Sequence, residues 1–123
     1  MAFFSKKELN NSHTSALRHW LHQKISAIFI APLTLWLVFN LPSFISLDYK
    51  SKLNWLIKYP NFLILMLFFL LATYHMRLGL TVVIEDYIHN KRIKTILLTS
   101  VTIFSIYLPV KVIVLILLLR GEF

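Results

Sequence analysis

Three long apolar runs constrain this chain more than any other feature. They lie at about residues 25–47, 62–84 and 96–119. Crossing ~30 Å of hydrocarbon takes about 20 residues at a helical rise of ~1.5 Å each, and each run is that long. Lipid offers the backbone no hydrogen-bond partner, so an open strand cannot cross it and a helix can. The runs therefore predict an all-α integral membrane fold. Three transmembrane helices are expected over about 25–47, 62–87 and 96–119, with the second continuing past Ile84 to Tyr87. The chain has 123 residues and is 58% hydrophobic with only two glycines. A soluble domain of that size cannot bury so much apolar surface, so one membrane domain over 1–123 is expected.

The segments between the runs are punctuation. Residues 1–14 are polar and are expected to be irregular. "SALRHWLHQK", Ser15 to Lys24, predicts a short amphipathic N-terminal lead-in, because Leu17, Trp20 and Leu21 share one face at i, i+3, i+4 spacing. Pro32 is placed to kink the first span. Pro60 and Asn61 mark the start of the second. Residues 48–60 and 85–95 are expected to be connections.

The net charge is +8. The basic residues flank the apolar runs, which suits anionic lipid headgroups and does not call for nucleic acid. Lys6, Lys7, Arg18, Lys24, Lys91, Arg92 and Lys94 would share one side, and Lys50, Lys52, Lys58 and Arg120 the other. The richer side faces the cytoplasm, so a cytoplasmic amino terminus and a periplasmic carboxyl terminus are expected. The chain has no cysteine, which excludes disulfides, thiolate metal sites and cysteine-ligated iron–sulfur clusters within it. The first apolar run is too long for a signal peptide and no small-residue cleavage site follows it. "MAFFSKKELNN" is short and poor in arginine for a transit peptide. A bacterial inner membrane is the simplest location.

The second run carries groups that lipid does not favour. "YHMRLGLTVVIEDY" holds His75, Arg77, Glu85 and Asp86. His75 falls about 18 Å from Tyr87 along a helix axis, near mid-membrane. At ~100° per residue His75, Gly79, Val82 and Asp86 lie within about 60° of one another, and Arg77 points nearly the opposite way. An imidazole at that depth fits three roles: a hydrogen bond to another helix, a proton relay or a haem ligand. Gly79 leaves room for a flat macrocycle or for another helix. Glu85, Asp86, Tyr87 and His89 fall at headgroup level, where they fit interface anchoring or a pocket for a ligand with a greasy tail and a carbonyl head.

"HMRLGLTVVIEDYIH" resembles the signature of the D-type hydrophobic membrane-anchor subunit of succinate dehydrogenase. That pattern is His, three residues, Gly, six residues, Asp-Tyr; here it is His75, Gly79, Asp86, Tyr87. "HWLHQKISAIFIAPL" is similar to the family's entry into its first helix. The resemblance covers about Arg18 to Lys94, and the third run matches only as an apolar span. It implies that His75 is an axial ligand of haem b, that Tyr87 donates a hydrogen bond to a ubiquinone carbonyl, and that Asp86 is the neighbouring acid of that pocket. Lys24 stands where the family has an arginine near the haem propionates, with His19 and Arg18 as further candidates for that contact. The partners it implies are a C-type cytochrome b anchor subunit, an iron–sulfur subunit and a flavoprotein subunit.

Low-spin haem b is held by two imidazoles. His75 is the one histidine expected at membrane depth, with His22 more than ~12 Å away in depth on the helical rise. His13, His19 and His89 also fall on the cytoplasmic side. The second ligand is therefore expected from another chain, in a heteromeric helix bundle or across a dimer axis. The chain lacks a flavin fingerprint, so it is not expected to be catalytic by itself. Two other functions fit the same residues: a small proton-conducting transport or channel subunit using His75 and Asp86, and the anchor of a fumarate reductase-like quinone oxidoreductase.

Overall fold

Lipid-spanning helices satisfy their own backbones, so their packing is decided by which side chains face one another. The computed structural model describes residues 6–121. Four helices follow in order: α1 Lys6–Ser46, α2 Tyr49–Ile57, α3 Asn61–Tyr87 and α4 Lys91–Arg120. Among the described residues there is no strand. Three of the helices, α1, α3 and α4, are long and apolar enough to cross a membrane. The all-α membrane class expected above is the observed one.

α3 lies in the middle. It packs against α4 on one side and α1 on the other, and α1 and α4 share no comparable contact. Small hydroxyl residues sit in the seams. Ser26, Thr73 and Ser105 are buried, each turning its hydroxyl back to its own helix: Ser26 to the Gln23 carbonyl at 2.9 Å, Thr73 to Phe69 at 2.7 Å and Ser105 to Thr102 at 2.8 Å. Hydroxyls satisfied in this way let helices approach closely in lipid. The large apolar side chains mostly face outward, as a membrane solvent requires.

α1 departs from its expected form. No break separates a lead-in from the first span, because the helix is continuous from Lys6 through Pro32 and Pro42. The stretch expected to be irregular is helical from Lys6 onward. Leu17, Trp20 and Leu21 are exposed. α1 instead turns the polar stripe Ser15, His19, His22 and Ser26 toward α3. A soluble amphipathic helix buries its apolar stripe; here lipid takes the apolar face, and the polar groups find partners inside.

The expected connection 48–60 contains α2. Asp48 caps it, its Oδ2 accepting from the amides of Lys50 at 3.1 Å and Ser51 at 3.4 Å. The Trp55 ring stacks on Trp36 of α1 with centroids 5.8 Å apart and meets Phe44 at 4.9 Å. Nine residues carry too little periodicity to announce a helix, and the ring contacts come from elsewhere in the chain. Arg120, at the end of α4, donates from Nη1 to the Ile57 carbonyl at 2.7 Å and lies 3.9 Å over the Phe62 ring. α4 begins at Lys91, five residues before the expected start, because Asn90 Oδ1 accepts from the amides of Arg92 at 3.0 Å and Ile93 at 3.3 Å. It ends at Gly121, whose φ of 74° is the left-handed cap that favours glycine.

Candidate functional site at the α1–α3 seam

Two polar rungs join α1 to α3. Ser26 Oγ lies 2.8 Å from His75 Nδ1, and His22 Nδ1 lies 2.6 Å from the Tyr74 hydroxyl. His22 and Ser26 are one turn apart on α1, and Tyr74 and His75 are consecutive on α3. Helix geometry thus presents two acceptor–donor pairs side by side. Below them Gly79 faces Gln23: a Cβ added to Gly79 would sit 3.7 Å from Gln23 Nε2. The free space left by this glycine is therefore closed by α1 of the same chain.

The rungs correct one expected distance. His22 is a single turn, ~6 Å of rise, from the serine that touches His75, rather than more than ~12 Å away in depth. The difference arises because α1 and α3 run antiparallel with Ser26 level with His75. His22 remains committed through Nδ1 to Tyr74. The seam is also too tight to admit a macrocycle between the two helices at Gly79.

The His75 ring is partly exposed. Nδ1 is its only nitrogen with a hydrogen-bond partner among the described residues. No buried side-chain nitrogen or oxygen among those residues lacks a partner, so Nε2 lies open at the molecular surface. His75 stands twelve residues before Tyr87, ~18 Å along α3, so this open nitrogen is near the middle of the helix.

Toward the Tyr87 end the seam widens into a cleft of about 600 Å³ between His19, Trp20 and Gln23 of α1 and Thr81, Val82 and Glu85 of α3. Arg18, His19 and His22 line a smaller adjoining hollow of about 210 Å³ with Leu78. Lys24 turns elsewhere: its Nζ is 4.6 Å over the Trp20 ring. Of the three residues expected near a propionate, Arg18 and His19 thus face the seam and Lys24 does not. Tyr87 and Asp86, at the end of α3, are exposed and line neither hollow. Tyr87 is 76% exposed, so its hydroxyl is available to a group outside the chain. Lys94 donates from Nζ to the Glu85 carbonyl at 2.9 Å and holds this end of α3 against the start of α4. Arg77 is exposed on α3, and Lys111 lies 5.5 Å from the Tyr107 ring on α4.

Ser26, Gln23 and Tyr74 have no role in the expectations above, and His22 entered them only as a histidine at another depth. On α1 the signal was present as His19, His22, Gln23 and Ser26 at i, i+3, i+4 and i+7 spacing, on the face opposite the apolar stripe; Tyr74 on α3 carried no such signal. Among the described residues no group of three or more His, Asp or Glu side chains gathers to hold a metal ion.

Three membrane-spanning helices, an open imidazole at mid-helix and a carboxylate–tyrosine pair at the helix edge define a small multi-pass membrane-anchor protein. Residues 5–119 match the family model described as the succinate dehydrogenase/fumarate reductase transmembrane subunit, and the chain belongs to that family. It is 35% identical over 105 residues to a succinate dehydrogenase hydrophobic membrane anchor subunit of Rickettsia bellii, covering 82% of this chain and 81% of that protein. The corresponding Rickettsia typhi subunit is 32% identical over 105 residues, covering 82% of this chain and 81% of that protein. A succinate dehydrogenase membrane anchor subunit of Reclinomonas americana is 26% identical over 96 residues, covering 75% and 79%. Within the family the chain is of the succinate dehydrogenase anchor kind. No solved structure gives a significant match.

Proposed function

We propose that this chain, in succinate:ubiquinone oxidoreductase, holds haem b jointly with a second anchor subunit and contributes to the ubiquinone-reduction site. The observation that carries the proposal is His75 Nε2, open near the middle of α3 while Nδ1 is held by Ser26. The donor chemistry fits haem b: a neutral imidazole with one free nitrogen, in apolar surroundings. Because the α1–α3 seam is closed at Gly79, His75 Nε2 would hold the iron outside that seam, with a cytochrome b-type partner supplying the second imidazole. When bound, haem supplies a one-electron store within the bilayer.

The chain's own residues act at two depths. His75 would hold the haem iron through one nitrogen. Arg18 and His19 supply positive or hydrogen-bonding groups toward the cytoplasmic side, suited to propionates. At the edge, the Tyr87 hydroxyl donates to a quinone carbonyl while the isoprenoid tail stays among apolar side chains, and Asp86 adds a carboxylate beside it. Two electrons, delivered through an iron–sulfur subunit from a flavoprotein subunit, and two protons make ubiquinol. The basic flanks support a cytoplasmic amino terminus and a bacterial inner membrane, which puts Tyr87 on the side where those soluble subunits dock.

The test uses the intact complex in native membranes. A reduced-minus-oxidised b-type spectrum is expected and should vanish in His75→Ala. Tyr87→Phe should depress quinone reduction by succinate by up to about tenfold, the scale of one lost hydrogen bond, while succinate oxidation by an artificial acceptor is unchanged. A wild-type complex without porphyrin, combined with proton leak that depends on His75 and Asp86, would favour the proton-conducting function instead. Quinone preference separates the succinate-oxidising from the fumarate-reducing direction.

A further inference from the structure

We infer that Ser26 is a positioning residue that decides which nitrogen of His75 is presented to iron; the inference rests on the haem proposal above. A serine hydroxyl has one hydrogen and two acceptor lone pairs. Ser26 donates its hydrogen to the Gln23 carbonyl at 2.9 Å. Toward His75 Nδ1, 2.8 Å away, the same oxygen can then only accept. Nδ1 therefore carries the imidazole proton. A neutral imidazole has a single N–H, so the lone pair is on Nε2, the nitrogen that opens at the surface.

Three features make the arrangement durable. Ser26 is 3% exposed, so no bulk solvent competes for either bond. Its partner carbonyl is on its own helix turn and moves with it. The His22–Tyr74 rung one turn away resists rotation of α1 about its axis, which would carry Ser26 off Nδ1. Histidine ligands are commonly held in this way, the second ring nitrogen donating to a neighbouring acceptor that sets the tautomer and raises the basicity of the ligating atom. A hydroxyl does so without charge, which suits a site in lipid where a carboxylate would be costly.

Removing the hydroxyl should loosen the ring and make Nε2 less basic. A less basic ligand stabilises ferric iron less than ferrous. The experiment compares the haem midpoint potential, the low-spin ferric resonance and the haem content of the purified complex in Ser26→Ala, Ser26→Thr and Ser26→Val. Thr and Val are nearly equal in volume and differ in the hydroxyl. Ser26→Thr should match the wild type. Ser26→Ala and Ser26→Val should raise the midpoint potential, change the ferric resonance and weaken haem retention by about 10–100-fold, as for other outer-shell ligand partners. Loss of haem from both hydroxyl-free variants with retention in Ser26→Thr also supports the role. Equal potentials and haem content in Thr, Val and Ala variants overturn it while leaving the haem proposal standing, and so does failure of all three alike, which would mark Ser26 as a packing residue. A wild-type complex without haem overturns both.

Discussion

Arg120 is the last residue of α4, yet its most consequential contacts are with other elements. Its Nη1 reaches the carbonyl of Ile57, the final residue of α2, at 2.7 Å, and its guanidinium carbon is 3.9 Å from the Phe62 ring centroid. Arg120→Ala removes both. A hydrogen bond with one charged partner contributes about 1.5–3 kcal/mol net, and the lower end applies because Arg120 is only half-buried and water can reach the abandoned carbonyl. The cation–π contact adds about 0.5–1 kcal/mol at such a site. Together they amount to about 2 kcal/mol, or roughly 30-fold in the local opening equilibrium of α2. Hydrogen exchange of the solubilised complex reads this at the α2 amides, including Lys58, whose N–H bonds the Asn54 carbonyl at 3.1 Å. Exchange in α2 should accelerate by that factor, with the amides of α3 near His75 unaffected. Arg120→Lys should fall between, since the ammonium keeps the charge but not the planar fork. Unchanged α2 exchange in Arg120→Ala would refute the clamp and leave the attachment of α2 to the Trp55 ring contacts and the Asn61 Nδ2 bond to the Trp55 carbonyl at 3.0 Å.

Further predictions concern α2 and the seam. Hydrogen bonds from the Ser51 hydroxyl and amide, and from the Lys50 amide, hold the Asp48 carboxyl below its usual 3.8. Because the folded value is the lower one, the cap's support is complete at neutral pH, declines as pH falls below the ordinary value and is lost once pH passes the depressed value. α2 protection should follow that course in the wild type and be pH-independent in Asp48→Asn, which caps without titrating; identical pH profiles would remove Asp48 from the cap. Gly79→Ala should be tolerated, because the new Cβ meets Gln23 at an ordinary 3.7 Å. It should raise stability by about 0.5–1 kcal/mol through helix propensity, read as a higher Tm of the complex with haem content unchanged. Haem loss in a folded Gly79→Ala complex would mean that the space at Gly79 serves a bound group rather than α1.

Legibility divides by range along the chain. His75, Gly79 and Asp86 share one stripe of a single helix and Tyr87 follows directly, all within thirteen residues, so spacing alone could place them. Helix geometry then supplied their depths. The partner of His75 is 49 residues away in the chain, and no period within either helix announces that pairing. α2 escaped notice for a related reason: its cap is local, but the rings of Trp36 and Phe44 that hold Trp55 belong to α1. Leu17, Trp20 and Leu21 were grouped as one face, and they are exposed together; what the period along α1 did not report is that the opposite, polar face meets α3.

By itself, then, the order of residues determined the solvent, the three crossings and the axial position of the imidazole, because hydropathy, helical rise and angular period are properties of contiguous segments. Only the assembled bundle decided that α3 stands between α1 and α4, that Gly79 is closed by Gln23, and that a serine from α1 takes one nitrogen of His75 and leaves the other open. Those outcomes depend on the rotation and register of one rigid helix against another, and a sequence pattern along one helix does not encode the angle at which its neighbour arrives.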